Sequence, residues 1–119
     1  MGLDQYAVIK RKMNSLDDNF QWRKHAMLQE LMQDIWVSRG NAAEDFNCSE
    51  MELYKEDIDK LKAAIADGYS NYESEGGFFW GHKFQTESME QYREQDSFFA
   101  IVADVAIEQG DRVFYSCWY

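Results

Sequence analysis

Hydrophobic periodicity along the chain spells strand, helix, weak strand, helix, helix, strand, and this order constrains the fold more than any other feature. Strand and helix do not alternate regularly, which argues against a doubly wound parallel sheet. The expectation is an α+β fold, three helices packed on a small, mainly antiparallel sheet that includes the N- and C-terminal strands. The segment YAVIKRKM sets Tyr6, Val8 and the stems of Lys10 and Lys12 against Ala7, Ile9 and Met13, the period-2 alternation of a first strand. Ser15, Asp17 and Asp18 then offer N-caps. Phe20, Met27, Leu28, Leu31, Met32, Ile35 and Trp36 recur at helical spacing until Gly40, predicting a first helix near residues 18 to 38. EDFNCSEMELY has the acid-studded look of a short edge strand. Ile58, Leu61 and Ile65 form the stripe of a second helix over 55 to 67, closed by Gly68. A third helix over 87 to 109 has Thr86 as N-cap and carries Met89, Tyr92, Phe99, Val102 and Ala106 on one face. Phe98, Ile101 and Val105 fall on a neighbouring stripe, so its second half should be buried on a wide face. RVFYSCWY alternates Val113, Tyr115 and Cys117 against Phe114, Ser116 and Trp118 as a last strand. With no proline, repeat or linker, residues 1–119 read as one domain.

The 119 residues are 45% hydrophobic and 16% aromatic, ample for one core. The net charge of -10 is uneven: residues 1–40 hold six Lys or Arg against five acids, and residues 41–119 hold six against seventeen. Affinity for nucleic acid comes chiefly from cations that neutralise phosphates, and KRK at 10–12 with RK at 23–24 is too small a patch to supply it. So acidic a surface instead suits solubility, a basic partner, or mimicry of nucleic acid. FFAIVADVAI is too short and too interrupted by acid to span a bilayer, and no basic-then-apolar leader opens the chain, so the expectation is a soluble intracellular protein. Cys48 and Cys117 then read as free thiols in a reducing compartment, and the sequon at Asn47 is silent. Tyr6 occupies the place where an N-myristoylation signal wants Ser or Thr.

The run EGGFFWGHKF fences three adjacent aromatics with glycines. Gly76 and Gly77 suit a turn, and at least one of Phe78 and Phe79 belongs in a core. Trp80 and His82 flank Gly81 and could form the wall and polar tip of a pocket. In QWRKHAM, Trp22 lies off the main apolar stripe, packed under a loop or available for contact. Arg23 and Lys24 either pair with the surplus acids, Arg23 in bidentate fashion, or hold an anionic ligand. No metal is expected: His25 and His82 belong to no metal-binding histidine pair, and the cysteines are isolated. Cys117 sits in an aromatic strand, where an inert buried thiol is the usual outcome. No phosphate loop, nucleophile elbow or dinucleotide fingerprint is present, and no cofactor is implied.

Taken in order, MGLDQYA, WRK at 22–24, GFFWG at 77–81, the acidic helix after it and the closing FYSCW resemble a family of small uncharacterised proteins of tailed phages and prophages. The resemblance spans nearly the whole chain and implies phage origin and expression in a bacterial host cytoplasm, without implying an activity. Gln5 stands where that family usually has Met, Phe20 and Gln21 precede the Trp-Arg-Lys run, and His25-Ala26 replaces the usual Ala-Asn. If LDQY, WRK and FFWGH belong to one pattern, they should meet in space. A site would then be built from Asp4, Tyr6, Trp22, Arg23, Lys24, Trp80 and His82, although a purely structural nucleus would satisfy the same pattern. The leading expectation is a phage accessory protein that binds a protein partner of host or phage origin and has no chemistry of its own. The alternative is a small-molecule or anion-binding protein, an enzyme among its forms, with its pocket near Trp22, Arg23, Trp80 and His82. Neither nucleic acid nor membrane is an expected partner. The closing strand has aromatics on both faces, so either the sheet interior receives it or a second subunit does, and the expectation is a homodimer.

Overall fold

The computed structural model describes residues 3–12, 17–69 and 85–119, with the backbone alone for residues 85–90. Its elements are β1 (Asp4–Lys10), β2 (Asp18–Arg23), α1 (Ala26–Ser38), a short 3-10 turn (Ala43–Asp45), β3 (Glu50–Leu53), α2 (Lys55–Ala66), α3 (Gln85–Glu108) and β4 (Arg112–Trp118). The strands form one antiparallel sheet in the order β2-β1-β4-β3, so the N- and C-terminal strands are its two central members. The fold is α+β, as the order of elements implies. No helix among the described residues is long and apolar enough to cross a membrane.

Alternation along the strands decides which face is covered. Leu3, Gln5, Ala7 and Ile9 turn inward from the β1 segment, Val113, Tyr115 and Cys117 from β4, and Met51 and Leu53 from β3, and all are buried. Across the β1–β2 pair the small Ala7 faces the large Phe20, and Gln5 faces Trp22, so residue volumes complement one another on the inner face. The helices supply the other wall of the core. Ala26, Met27, Leu28, Leu31, Met32 and Ile35 come from α1, and Ile58 and Leu61 from α2. From α3, Phe99, Ala103 and Ala106 are fully buried, and the alanines let its backbone lie close to its neighbours.

Two helix ends are set by glycine in the left-handed region, and each aims the next residue. At Gly68 (φ +69) the Tyr69 N–H bonds the Ala64 carbonyl at 2.7 Å and the Gly68 N–H bonds that of Ile65. This Schellman closure drives Tyr69 into the core. At Gly110 (φ +89) the same pair of bonds runs from Asp111 to Ala106 and from Gly110 to Ile107. Asp111 is thereby delivered to the backbone N–H of Lys12 at 2.7 Å and to Arg11 at 3.1 Å.

Two expectations are corrected. Residues 18–23 are strand β2 and not the start of the first helix, which begins at Ala26 with His25 as its cap. The second half of α3 is not buried on a wide face: Phe98, Ile101 and Val105 are 60%, 58% and 46% exposed. The described residues form a single helical layer, and this stripe points away from the sheet with nothing among them beyond it. The closing strand, for its part, is received by the sheet interior, with β1 on one side and β3 on the other. On the open face of the sheet, Phe114 is shielded by the Lys10 ammonium and the Arg112 guanidinium, 4.6 and 4.9 Å from its ring centroid. Trp118 remains two-thirds exposed there.

Candidate functional site

The polar groups inside the core converge on Asp96, which is 1% exposed on the inner face of α3. Its Oδ1 accepts the Trp22 indole N–H at 2.8 Å. Its Oδ2 accepts the Tyr69 hydroxyl at 2.8 Å and lies 2.7 Å from His25 Nε2. The tautomer of His25 follows from its other nitrogen: Nδ1 accepts the Leu28 backbone N–H as the cap of α1, so the ring proton sits on Nε2 and is donated to Asp96. The carboxylate thus receives three donors, from β2, from the α1 cap and from the turn after α2. An unpaired charge at that depth would be far more costly than any of these bonds is favourable. The ring of Tyr92 stacks on that of His25 at 5.6 Å and 13°, and Phe99 meets Trp22 edge-on at 5.3 Å.

A second chain of polar groups runs beside the first. Gln5 Oε1 accepts the His25 backbone N–H at 2.9 Å, and Gln5 Nε2 donates to the His25 carbonyl and to the Tyr115 hydroxyl, each at 3.0 Å. Tyr115 donates to Gln29 Oε1 at 2.6 Å, and Gln29 Nε2 reaches Cys117 Sγ at 3.3 Å. Burial pushes the phenols of Tyr69 and Tyr115 up from their ordinary value, with the Asp96 charge adding to the effect at Tyr69. It pushes the Cys117 thiol up to about 11. Cys117 is therefore a protonated, buried thiol at neutral pH, whereas Cys48 is exposed.

Of the residues singled out by sequence, those that are described divide between the two faces of the sheet. Trp22 lies on the inner face of β2, and strand alternation sends its neighbour Arg23 to the outer face, 69% exposed in its side chain and 3.8 Å from Asp4. Tyr6 also stands on the outer face, beside a shallow depression of about 400 Å³ bordered by Val8, Asn19, Phe114 and Ser116. Lys24 has φ +59 and gives its backbone N–H to the Leu3 carbonyl at 2.8 Å, the joint between β2 and α1. Trp80 and His82, with the aromatic run that holds them, lie outside the described residues. The residues that sequence reasoning did not find are Asp96 and Tyr69. Asp96 occupies the same helical stripe as Tyr92, Phe99, Ala103 and Ala106, and an acid on an apolar stripe was the available signal.

Both nitrogens of His25 and both oxygens of Asp96 are engaged in hydrogen bonds within the cluster. Among the described residues no group of three His, Cys, Asp or Glu is arranged to hold a metal. A cavity of about 360 Å³ opens beside the cluster, lined by Ile65, Ala66, Tyr69, Arg93, Asp96 and Ser97. Comparison with family models, with curated proteins and with solved structures gives no match to this chain.

Proposed function

We propose that this chain is a small acidic accessory protein, of phage origin as its resemblance implies, that works in the host cytoplasm by binding a protein partner and has no chemistry of its own. The observation that carries this reading is the exposed apolar stripe of α3, Phe98, Ile101 and Val105, in a fold whose buried polar side chains, among the described residues, bond one another. Large side chains so exposed on a regular helix are costly in water unless a second surface covers them. A photo-crosslinking amino acid at position 101, compared with one at the exposed Gln91, tests it in the bacterial host. One discrete protein adduct formed from 101 and not from 91 is expected. Failure of 101 to give any adduct above that of 91 would overturn the reading.

A second reading, small-molecule binding, is favoured by the cavity beside Tyr69 and Asp96. Native mass spectrometry of protein purified from the host would show such a ligand as a mass increment that disappears on denaturation.

A further inference from the structure

We propose that the α3 stripe is a docking seam for a basic amphipathic helix of the partner, an inference that rests on the protein-binding reading above and names the partner's chemistry. Glu94, Phe98, Ile101, Val105 and Glu108 follow one another at intervals of four, three, four and three residues, and all five are exposed. That is the a/d spacing of a helix-to-helix seam over two heptads, about 21 Å of helix. The seam does not stand alone. Phe98 lies 6.1 Å from the ring of Phe20, and between α3 and β2 runs a groove of about 590 Å³ lined by Phe20, Phe98 and Val102, with Arg11, Asp17 and Asp18 at its rim. Such a groove takes one large apolar side chain beside the seam.

Two features decide between a helix and an added strand as the occupant. The edge of β2 is the nearest strand edge, and α3 already closes part of it: Tyr92 Oη accepts the Arg23 N–H at 3.0 Å, and Gln95 Nε2 donates to the Gln21 carbonyl at 2.7 Å. Strand addition there would have to displace both. The apolar spacing, moreover, is helical and not alternating.

The charges around the seam choose the sign of the partner. Acids cap both of its ends. On the β2 side Asp17 and Asp18 outnumber Arg11, which is already paired with Asp18 and Asp111. On the α2 side Lys55 and Lys62 are both held by Asp104, and Lys55 by Asp59 as well. Arg93, beside Glu94 on α3, adds a cation on the α2 side, and the acids still outnumber the bases around the seam, on a chain of net charge -10. A second copy of this chain fits poorly. Paired antiparallel across Ile101, Glu94 of one α3 faces Glu108 of the other, and paired parallel each glutamate faces its own counterpart. A helix with apolar a/d positions flanked by Lys or Arg meets no such opposition.

The probe is a fluorescent peptide of about 18 residues, built of Leu and Lys with the leucines at a/d spacing, read by anisotropy against the full chain. Controls are a scrambled peptide of the same composition and a Leu/Glu version. The Leu/Lys peptide is expected to bind and the controls to bind weakly or not at all. Ile101→Glu, at an exposed position that leaves the fold and its melting intact, should weaken binding by about tenfold or more. The pair Glu94→Lys with Glu108→Lys should weaken it and flatten its salt dependence. Equal binding of the scrambled peptide, or an Ile101→Glu affinity within about twofold of wild type, overturns the helical seam. In that event a 101-specific crosslink in the host would still uphold the broader protein-binding reading. A dimer in light scattering that Ile101→Glu turns into a monomer would overturn the proposal in favour of a second copy. Sedimentation with phosphatidylglycerol vesicles that depends on Ile101 would overturn it in favour of lipid.

Discussion

Replacing Asp96 by Asn changes one atom of the core and disturbs three hydrogen bonds. The carboxylate accepts Trp22 Nε1, His25 Nε2 and the Tyr69 hydroxyl, and the carboxamide has only one oxygen with which to accept them. Its best placement turns that oxygen to His25 and Tyr69 and leaves its NH2 against the indole N–H, a buried donor facing a donor. An unsatisfied buried donor costs about 1–3 kcal/mol, and the two surviving bonds each lose about 1 kcal/mol with the charge. His25 cannot relieve the conflict by changing tautomer, because Nδ1 is committed to the Leu28 N–H. The total is about 3–5 kcal/mol, a large share of the stability of a domain this size. At roughly 4 °C per kcal/mol the melting temperature should fall by about 12 °C or more. Tyr69→Phe removes one donor and leaves the carboxylate two, so it should cost about 1–2 kcal/mol. Thermal melts followed by far-ultraviolet dichroism at neutral pH measure both variants. An Asp96→Asn protein that melts within about 2 °C of wild type, or above Tyr69→Phe, would refute the carboxylate as the anchor of the core.

Cys48 should react rapidly with an aromatic disulfide reagent at pH 8, while Cys117, held as a thiol with its pKa pushed up to about 11, reacts only as the protein unfolds; two fast thiols would contradict this. At alkaline pH the raised phenols of Tyr69 and Tyr115 set the sign. Folding favours their neutral forms, so this stability is complete below about pH 10 and is lost as pH rises beyond it. Cys117 adds a loss of the same sign, beginning near pH 9 and continuing to about 11. Phenolate absorbance from these two rings should therefore rise together with the loss of dichroism. On the acid side Lys55 and Lys62 hold the Asp104 carboxyl below its ordinary value, and the Lys12 N–H with Arg11 does the same for Asp111. Both contributions are present above the usual carboxylate range and are lost as pH falls below about 4. Asp111→Asn forfeits its share of this stability, so the variant should unfold at a higher pH than wild type on acidification, and an unchanged midpoint would refute that assignment.

The α2 and α3 helices were legible because their stripes are long and their ends carry glycine at positions 68 and 110. The β4 and β1 strands were legible from alternation. The junction of β2 and α1 was not, for two physical reasons. The inner face of β2 holds only two apolar residues, Phe20 and Trp22, and two cannot establish a period when Phe20 also lies seven residues from Met27. The left-handed residue that separates strand from helix is Lys24, so the usual glycine punctuation is absent, and Asp17 and Asp18 imitate caps for a helix whose real cap is a histidine ring. Asp96 was hidden by company. In a helix that also holds Glu87, Glu90, Glu94, Asp104 and Glu108, one acid more is unremarkable until its stripe is followed to Phe99 and Ala103. The exposed Phe98, Ile101 and Val105 were visible as a stripe, but periodicity gives a direction around the helix and not the number of layers outside it.

The pairing of the first and last strands has a mechanical consequence. Asp4 is opposite Trp118 and Lys10 opposite Arg112, so the start of β1 and the finish of β4 lie side by side at one end of their ladder. Tension applied between residues near Asp4 and Trp118 loads the cross-strand bonds one after another, as in a zipper, because they lie perpendicular to the strands and cannot share the force in shear. Peeling β4 from β1 in this way also removes Tyr115 and Cys117 from the core and takes from Gln5 and Gln29 their shared partner. Force that separates β4 from β1 at this end therefore meets the ladder one bond at a time and reaches Cys117 and Tyr115 within a few residues of travel.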